Sequence, residues 1–136
     1  MNAPVIQPRK ILVVDDEPFV CEAVKMMLVF DGHQVDTAAS GNEALALFDK
    51  GRYDLVITDY AMPVMKGDEL AAAIKARVPG QPVVLITAYA EMLKASNAPL
   101  QGVDSVIAKP FLLEDLREAI AKTTLASAGT GAAAPK

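Results

Sequence analysis

Three runs of consecutive apolar residues constrain this chain most: Ile11-Leu12-Val13-Val14, Leu55-Val56-Ile57 and Val83-Val84-Leu85-Ile86. A strand that alternates apolar and polar residues buries one face, whereas an unbroken run suits a strand buried on both faces of a parallel sheet. Each run also ends on polar residues. The first enters Asp15-Asp16-Glu17, the second passes through Thr58 to Asp59, and the third closes on Thr87. Pro63 keeps the segment after Asp59 from continuing regularly, so Asp59 is expected at the rim of the sheet.

Between these strands the periodicity turns helical. Val20, Ala23, Val24, Met27 and Leu28 make an apolar face for a helix through about Phe30, with Asp16 as its candidate N-cap, Pro18 in its first turn and Asp31-Gly32 at its end. Val35 and Thr37 alternate with Gln34 and Asp36, the pattern of an edge strand, and His33 beside it reads as solvated. Ser40 and Glu43 fit a capping box ahead of Ala44, Leu45, Leu47 and Phe48, and Gly51 ends that helix. Gly67 precedes a helix with Leu70, Ala71, Ile74 and Val78, stopped by Pro79-Gly80. Met92, Leu93 and Ala95 suggest a short helix that Asn97-Ala98-Pro99 cuts off. Val103 to Ala108 is read as a fifth strand, followed by Lys109-Pro110-Phe111 and a last helix from Leu112 to about Leu125 that includes Leu113, Leu116, Ile120 and Lys122.

Five strands alternating with helices predict a doubly wound α/β fold, a five-stranded parallel sheet with helices on both faces. The 136 residues suit one domain, expected over 10–125, with a short leader over 1–9 and a flexible tail of small residues over 126–136. No apolar run approaches membrane-spanning length and no charged-then-apolar leader precedes Ile11, so a soluble, cytoplasmic protein without membrane insertion is expected. A net charge of -4 without a cluster of Lys and Arg argues against direct nucleic-acid binding. The single Cys21 has no internal disulfide partner and reads as a small helix residue.

In such sheets ligands bind beyond the carboxyl ends of the strands. Asp15 and Asp16 follow the first strand, Asp59 closes the third, Thr87 the fourth and Lys109 the fifth, so four segments converge on one edge. Converging carboxylates repel one another unless a cation joins them, and magnesium suits a set of carboxylate, carbonyl and water oxygens. Lys109 adds a compact positive charge and Thr87 a hydroxyl donor. Together these groups describe phosphoryl transfer, with the Asp59 carboxylate as nucleophile.

At this point Val13-Val14-Asp15-Asp16-Glu17, Asp59-Tyr60-Ala61-Met62-Pro63-Val64-Met65-Lys66-Gly67, Thr87-Ala88 and Lys109-Pro110-Phe111 resemble the receiver domain of two-component response regulators, over about Lys10 to Leu125. The resemblance implies strand order 2-1-3-4-5 and a flavodoxin-like arrangement. It implies that Asp59 accepts a phosphoryl group from a phosphohistidine on a sensor histidine kinase or histidine phosphotransfer protein. Asp16 and Asp59 would bind magnesium directly, Asp15 largely through water, and the Ala61 backbone carbonyl would complete the protein ligands. Lys109 would contact the phosphoryl oxygens, with Lys109-Pro110 cis, and Thr87 would move in to bond the phosphoryl group. A changed surface around the helix before the fifth strand, that strand and the last helix would then meet an output protein.

Two departures from the family pattern stand out. Val106 occupies the position where most receivers carry Tyr or Phe, which removes the usual aromatic switch and leaves Tyr89 as a partial substitute; Pro99 breaks the helix that usually carries output. A stand-alone phosphorylation switch is therefore the leading reading, with phosphorelay intermediate, phosphate sink, or a receiver cut from a larger protein as open variants. An enzyme of the magnesium-dependent phosphatase class would need a second acid two residues after Asp59, where Ala61 stands. A flavodoxin-like cofactor binder would need a phosphate cradle where this chain has acids, and a scaffold that is never phosphorylated would not need the acceptor, metal and lysine positions filled.

Overall fold

The computed structural model describes residues 7–91 and 102–133, with side chains in the last helix through Thr124. The elements run β1 (Lys10–Val14), α1 (Pro18–Phe30), β2 (Gln34–Ala38), α2 (Gly41–Lys50), β3 (Leu55–Asp59), α3 (Gly67–Arg77), β4 (Val83–Thr87), β5 (Ser105–Ala108) and α4 (Leu113–Ala133). Five parallel strands stand in the order β2-β1-β3-β4-β5, as expected. The short helix read around Met92 and the break at Pro99 lie outside the described residues.

The unbroken apolar runs are explained by two cores, one on each side of the sheet. Ile11, Val13, Leu55, Ile57, Val84 and Ile86 point to the side covered by α1 and α4, where they meet Val24, Leu28, Leu116 and Ile120. Leu12, Val14, Val56 and Val83 point to the other side and meet Ala44, Phe48, Leu70 and Ile74 of α2 and α3. Strand β2 is the edge its alternation suggested, with only Ala38 fully buried. Among the described residues no helix is long and apolar enough to cross a membrane.

Three local readings need correction. The N-cap of α1 is Glu17 rather than Asp16, without a side-chain cap of its own; instead the Asp15 carboxylate accepts from the Glu17 amide at 2.8 Å. This start turns Cys21, not Ala23, onto the core beside Val24 and Leu28. Helix α4 continues to Ala133, past the expected end near Leu125.

The third correction concerns His33, which is buried rather than solvated. Its Nδ1 accepts a hydrogen bond from the Arg9 backbone N–H at 2.9 Å, while the His33 backbone N–H donates to the Leu28 carbonyl. Burial lowers the imidazole pKa below its ordinary 6.5, with Asp31 opposing the shift and Arg9 adding to it. The folded protein therefore prefers the neutral ring, so this stabilisation is complete above the unfolded value and is lost as pH falls from there through the lower folded value. Urea melts between about pH 7.5 and about pH 5.5 should show stability falling more steeply in wild type than in His33→Asn. Equal slopes would place the imidazole in an environment open to protonation.

Candidate functional site

The sheet register builds the site edge. Val14 is paired with Ala38 on one side and Thr58 on the other, Asp59 with Ile86, and Thr87 with Ala108. Parallel bonding then continues one residue beyond each strand: Asp15 N–H donates to Ala38 O, Tyr60 N–H to Ile86 O, and Lys109 N–H to Thr87 O. Residues separated by most of the chain are thereby held at one level.

At that level Asp15, Asp16 and Asp59 offer carboxylate oxygens that all lie within 4.8 Å of one another. Asp15 and Asp59 are buried, at 3% and 7% exposure, whereas Asp16 faces outward. Lys109 extends its ammonium from the β5 side to 2.8 Å from Asp59 Oδ1 and 3.8 Å from Asp15 Oδ2. Burial works to lower the Lys109 pKa, but the Asp59 hydrogen bond and the negative charges of Asp59 and Asp15 outweigh it, and the net shift is upward. Lys109 is a fixed cation here.

One lysine does not neutralise three acids. Burial pushes the Asp15 carboxyl up to about 6, the Glu17 amide bond and the Lys109 charge work against this, and repulsion from Asp59 and Asp16 adds to it. The site thus holds ionised oxygen donors with incomplete compensation, and hard oxygen ligands around such a deficit fit a hard divalent cation. Magnesium matches that donor set, and no sulfur or imidazole ligand competes for it among the described cluster.

Thr87 is on the same edge and buried, but its hydroxyl is already engaged: Oγ1 accepts from the Tyr89 N–H at 2.9 Å. The Tyr89 side chain is 48% exposed. Ala61 lies in the exposed part of the loop after Asp59, and Val106 is half-buried on β5 opposite Leu85. The Lys109–Pro110 peptide bond is cis.

Two supporting residues were not assigned this role from the sequence. Cys21 places its thiol 3.3 Å from the Asp15 carbonyl, and burial together with the Asp15 charge pushes that thiol up to about 11, so it packs the back of the site without being reactive. Val64 adopts φ 71° in the loop between Asp59 and α3 while 94% exposed, a strained backbone for a β-branched residue. Helical and strand periodicities carry no signal for either feature.

A family model described as the response regulator receiver domain matches residues 11–121. Among curated proteins the chain is 34% identical over 130 residues to the probable transcriptional regulatory protein TcrX of Mycobacterium tuberculosis, covering 93% of this chain and 56% of the relative. It is 38% identical over 114 residues to the transcriptional regulatory protein GlrR of Escherichia coli, covering 84% of this chain and 26% of the relative. The chain thus spans from about a quarter to a little over half of these relatives. Among solved structures it resembles a CheY-like receiver domain protein of Methanospirillum hungatei, with TM-score 0.82, 29% identity, and coverage of 91% of this chain and 99% of that one. It also resembles the response regulator TrrA of Thermotoga maritima in complex with magnesium and beryllofluoride, with TM-score 0.77, 38% identity, and coverage of 85% and 98%.

Proposed function

We propose a function from one premise: this chain belongs to the response regulator receiver domain family. Asp59 is the phosphoacceptor of a signalling switch, and the chain is a regulatory domain rather than an enzyme with a separate substrate. The donor is a phosphohistidine on a sensor histidine kinase or histidine phosphotransfer protein. One Asp59 oxygen forms a bond to phosphorus as the histidine N–P bond breaks, and the departing ring nitrogen keeps the electron pair. The observation that carries this reading is the Lys109 ammonium 2.8 Å from Asp59, beside two further acids.

Magnesium, held by Asp16 and Asp59, by Asp15 through water and by the Ala61 carbonyl, would supply neutralisation of the phosphoryl oxygens. Lys109 supports the same charge and stays protonated throughout. The phosphoryl group adds roughly -1.5 to -2 charge, which draws the Thr87 hydroxyl to donate to it. That hydroxyl now accepts from the Tyr89 amide, so its reorientation loosens the turn after β4 and couples Asp59 to the surface beside β5. With Val106 on β5, the coupling runs through this turn and Tyr89 instead of an aromatic at position 106.

The partner on the output side is a protein, and net charge of -4 opposes direct nucleic-acid contact. Relay of the phosphoryl group to another histidine, or its loss to water as a sink, uses the same chemistry at Asp59. A small-molecule phosphatase is disfavoured because Ala61 offers no acid to the leaving group.

Incubation with acetyl phosphate and magnesium, followed by intact mass measurement, tests the reading. A single phosphoryl adduct is expected on wild type, and none on Asp59→Asn or with a chelator present. If wild type also refuses phosphate from a histidine kinase, Asp59 is not an acceptor and the acidic edge serves binding alone.

A further inference from the structure

Thr58 is the one residue of β3 before Asp59 that is not apolar, and it is fully buried, at 0% exposure. A hydroxyl in a core costs free energy unless it is bonded, so the partner it finds is informative. Thr58 stands between Val14 of β1 and Leu85 of β4. It lies two residues on from Val56, and its side chain therefore shares the side of the sheet that α2 and α3 cover. There its Oγ1 donates to the Asp59 backbone carbonyl at 2.9 Å.

That carbonyl is where the parallel ladder runs out. The Tyr60 N–H donates to Ile86 on the β4 side, so a regular strand would aim the Asp59 carbonyl at β1, to be met there by the residue after Asp15. β1 ends at Val14, short of that level. The oxygen accepts instead from Thr58 and lies against Gly67, where an added Cβ would come within 2.2 Å of it. The Asp59–Tyr60 peptide is thus held at both ends, its N–H by Ile86 at 3.0 Å and its C=O by Thr58. This peptide joins the residue whose carboxylate meets Lys109 to the loop that carries Ala61. With the peptide fixed, the Asp59 side chain keeps only its own torsions, and a nucleophile held in this way is aimed before its substrate arrives.

We propose that Thr58 is a positioning residue for phosphoryl transfer: by holding the Asp59–Tyr60 peptide, its hydroxyl keeps the Asp59 carboxylate aligned for attack on phosphorus. The inference rests on Asp59 being the acceptor. Thr58 is buried beneath the acidic edge and acts through Asp59, so its effect belongs in the rate at saturating donor and not in KM. A threonine that only fills the core would show itself in stability alone.

The test follows acetyl phosphate labelling by intact mass, at saturating magnesium and over a range of donor concentrations. Thr58→Val keeps the volume and removes the hydroxyl, and it should lower the saturating rate about tenfold while KM changes by less than about twofold. Thr58→Ser removes a methyl and keeps the hydroxyl, and it should label within about twofold of wild type. Val56→Ala opens a cavity on the same face of β3; it should lower the urea midpoint and leave the rate unchanged. In chelator the Tyr60 amide should exchange its hydrogen at least about tenfold faster in Thr58→Val than in Thr58→Ser. Labelling of Thr58→Val at the wild-type rate would overturn the proposal, as would a Thr58→Ser protein equally slow, or rates that track the urea midpoint across all three variants. Equal Tyr60 exchange in the two Thr58 variants would overturn the peptide anchor whatever the labelling. Refusal of phosphate by wild type strikes the acceptor reading itself, a result distinct from a slow Thr58→Val beside an active wild type.

Discussion

Gly67→Ala is expected to lower the unfolding free energy by about 3 kcal/mol, read as a shift in urea midpoint at unchanged slope. A Cβ on Gly67 would stand 2.2 Å from the Asp59 carbonyl oxygen, 2.7 Å from Leu85 Cδ1 and 2.9 Å from Tyr60 Cα. Two of these neighbours are backbone, and they belong to the strand end that carries Asp59. The Gly67 amide also donates to the Tyr60 carbonyl at 2.8 Å, so α3 starts pressed against the site. Relief must come from moving the backbone that positions Asp59. Adding Leu85→Val removes only the side-chain part of the clash, and it should restore no more than about 1 kcal/mol. Gly41→Ala provides the contrast: its Cβ comes closest to the sulfur of the flexible Met65 side chain and to no backbone atom among its three nearest neighbours, and the cost should be smaller, about 1 kcal/mol. Equal losses for Gly67→Ala and Gly41→Ala would mean that the loop after Asp59 adjusts freely.

The contrast between what could and could not be read from the chain follows from range. A buried parallel strand writes itself as a continuous apolar run, and the residue that closes the run sits at the sheet edge whatever the rest of the fold does. Asp15, Asp59, Thr87 and Lys109 were therefore legible as one edge, and the expected strand order was met. The orientation of α1 was legible at Val20, Val24, Met27 and Leu28, which pack on the core, and missed only at Ala23, which faces out where Cys21 faces in. A single hydrogen bond from the Glu17 amide to Asp15 belongs to the start that turned Cys21 inward and left Met26 and Phe30 outside. His33 looked solvated beside an alternating strand, and only the return of Arg9 to its Nδ1 makes burial affordable. Gly67 is legible as the residue before a helix; the backbone it must clear, the carbonyl of Asp59 itself, lies beyond any local pattern.

Asp15→Asn should make the protein more stable in chelator, by about 2 kcal/mol near neutral pH. Asp15 is 3% exposed, and burial raises its carboxyl from 3.8 to about 6 in the folded chain. Near neutral pH the group is ionised in both states, and the folded state carries the full cost of that shift, about 3 kcal/mol. Asparagine keeps the oxygen that accepts from Glu17 and drops the charge; part of the gain is returned because Lys109, 3.8 Å away, loses an anionic neighbour. The sign follows from which state holds the proton. Because the folded pKa is the higher one, wild type gains stability as pH falls from about 6 towards 3.8, and the gap to Asp15→Asn should close across that window. Magnesium should reverse the order. At about a hundred times its dissociation constant a ligand that binds only the folded state contributes about 2.7 kcal/mol, and wild type should collect that gain while Asp15→Asn collects little. Thermal melts of both proteins with chelator and with magnesium contain the whole test, since a purely structural Asp15 would lose stability on substitution in both conditions. A carboxylate that costs the empty fold and repays it only with a cation is held there for the cation, which is the physical case for reading this edge as a phosphoryl site.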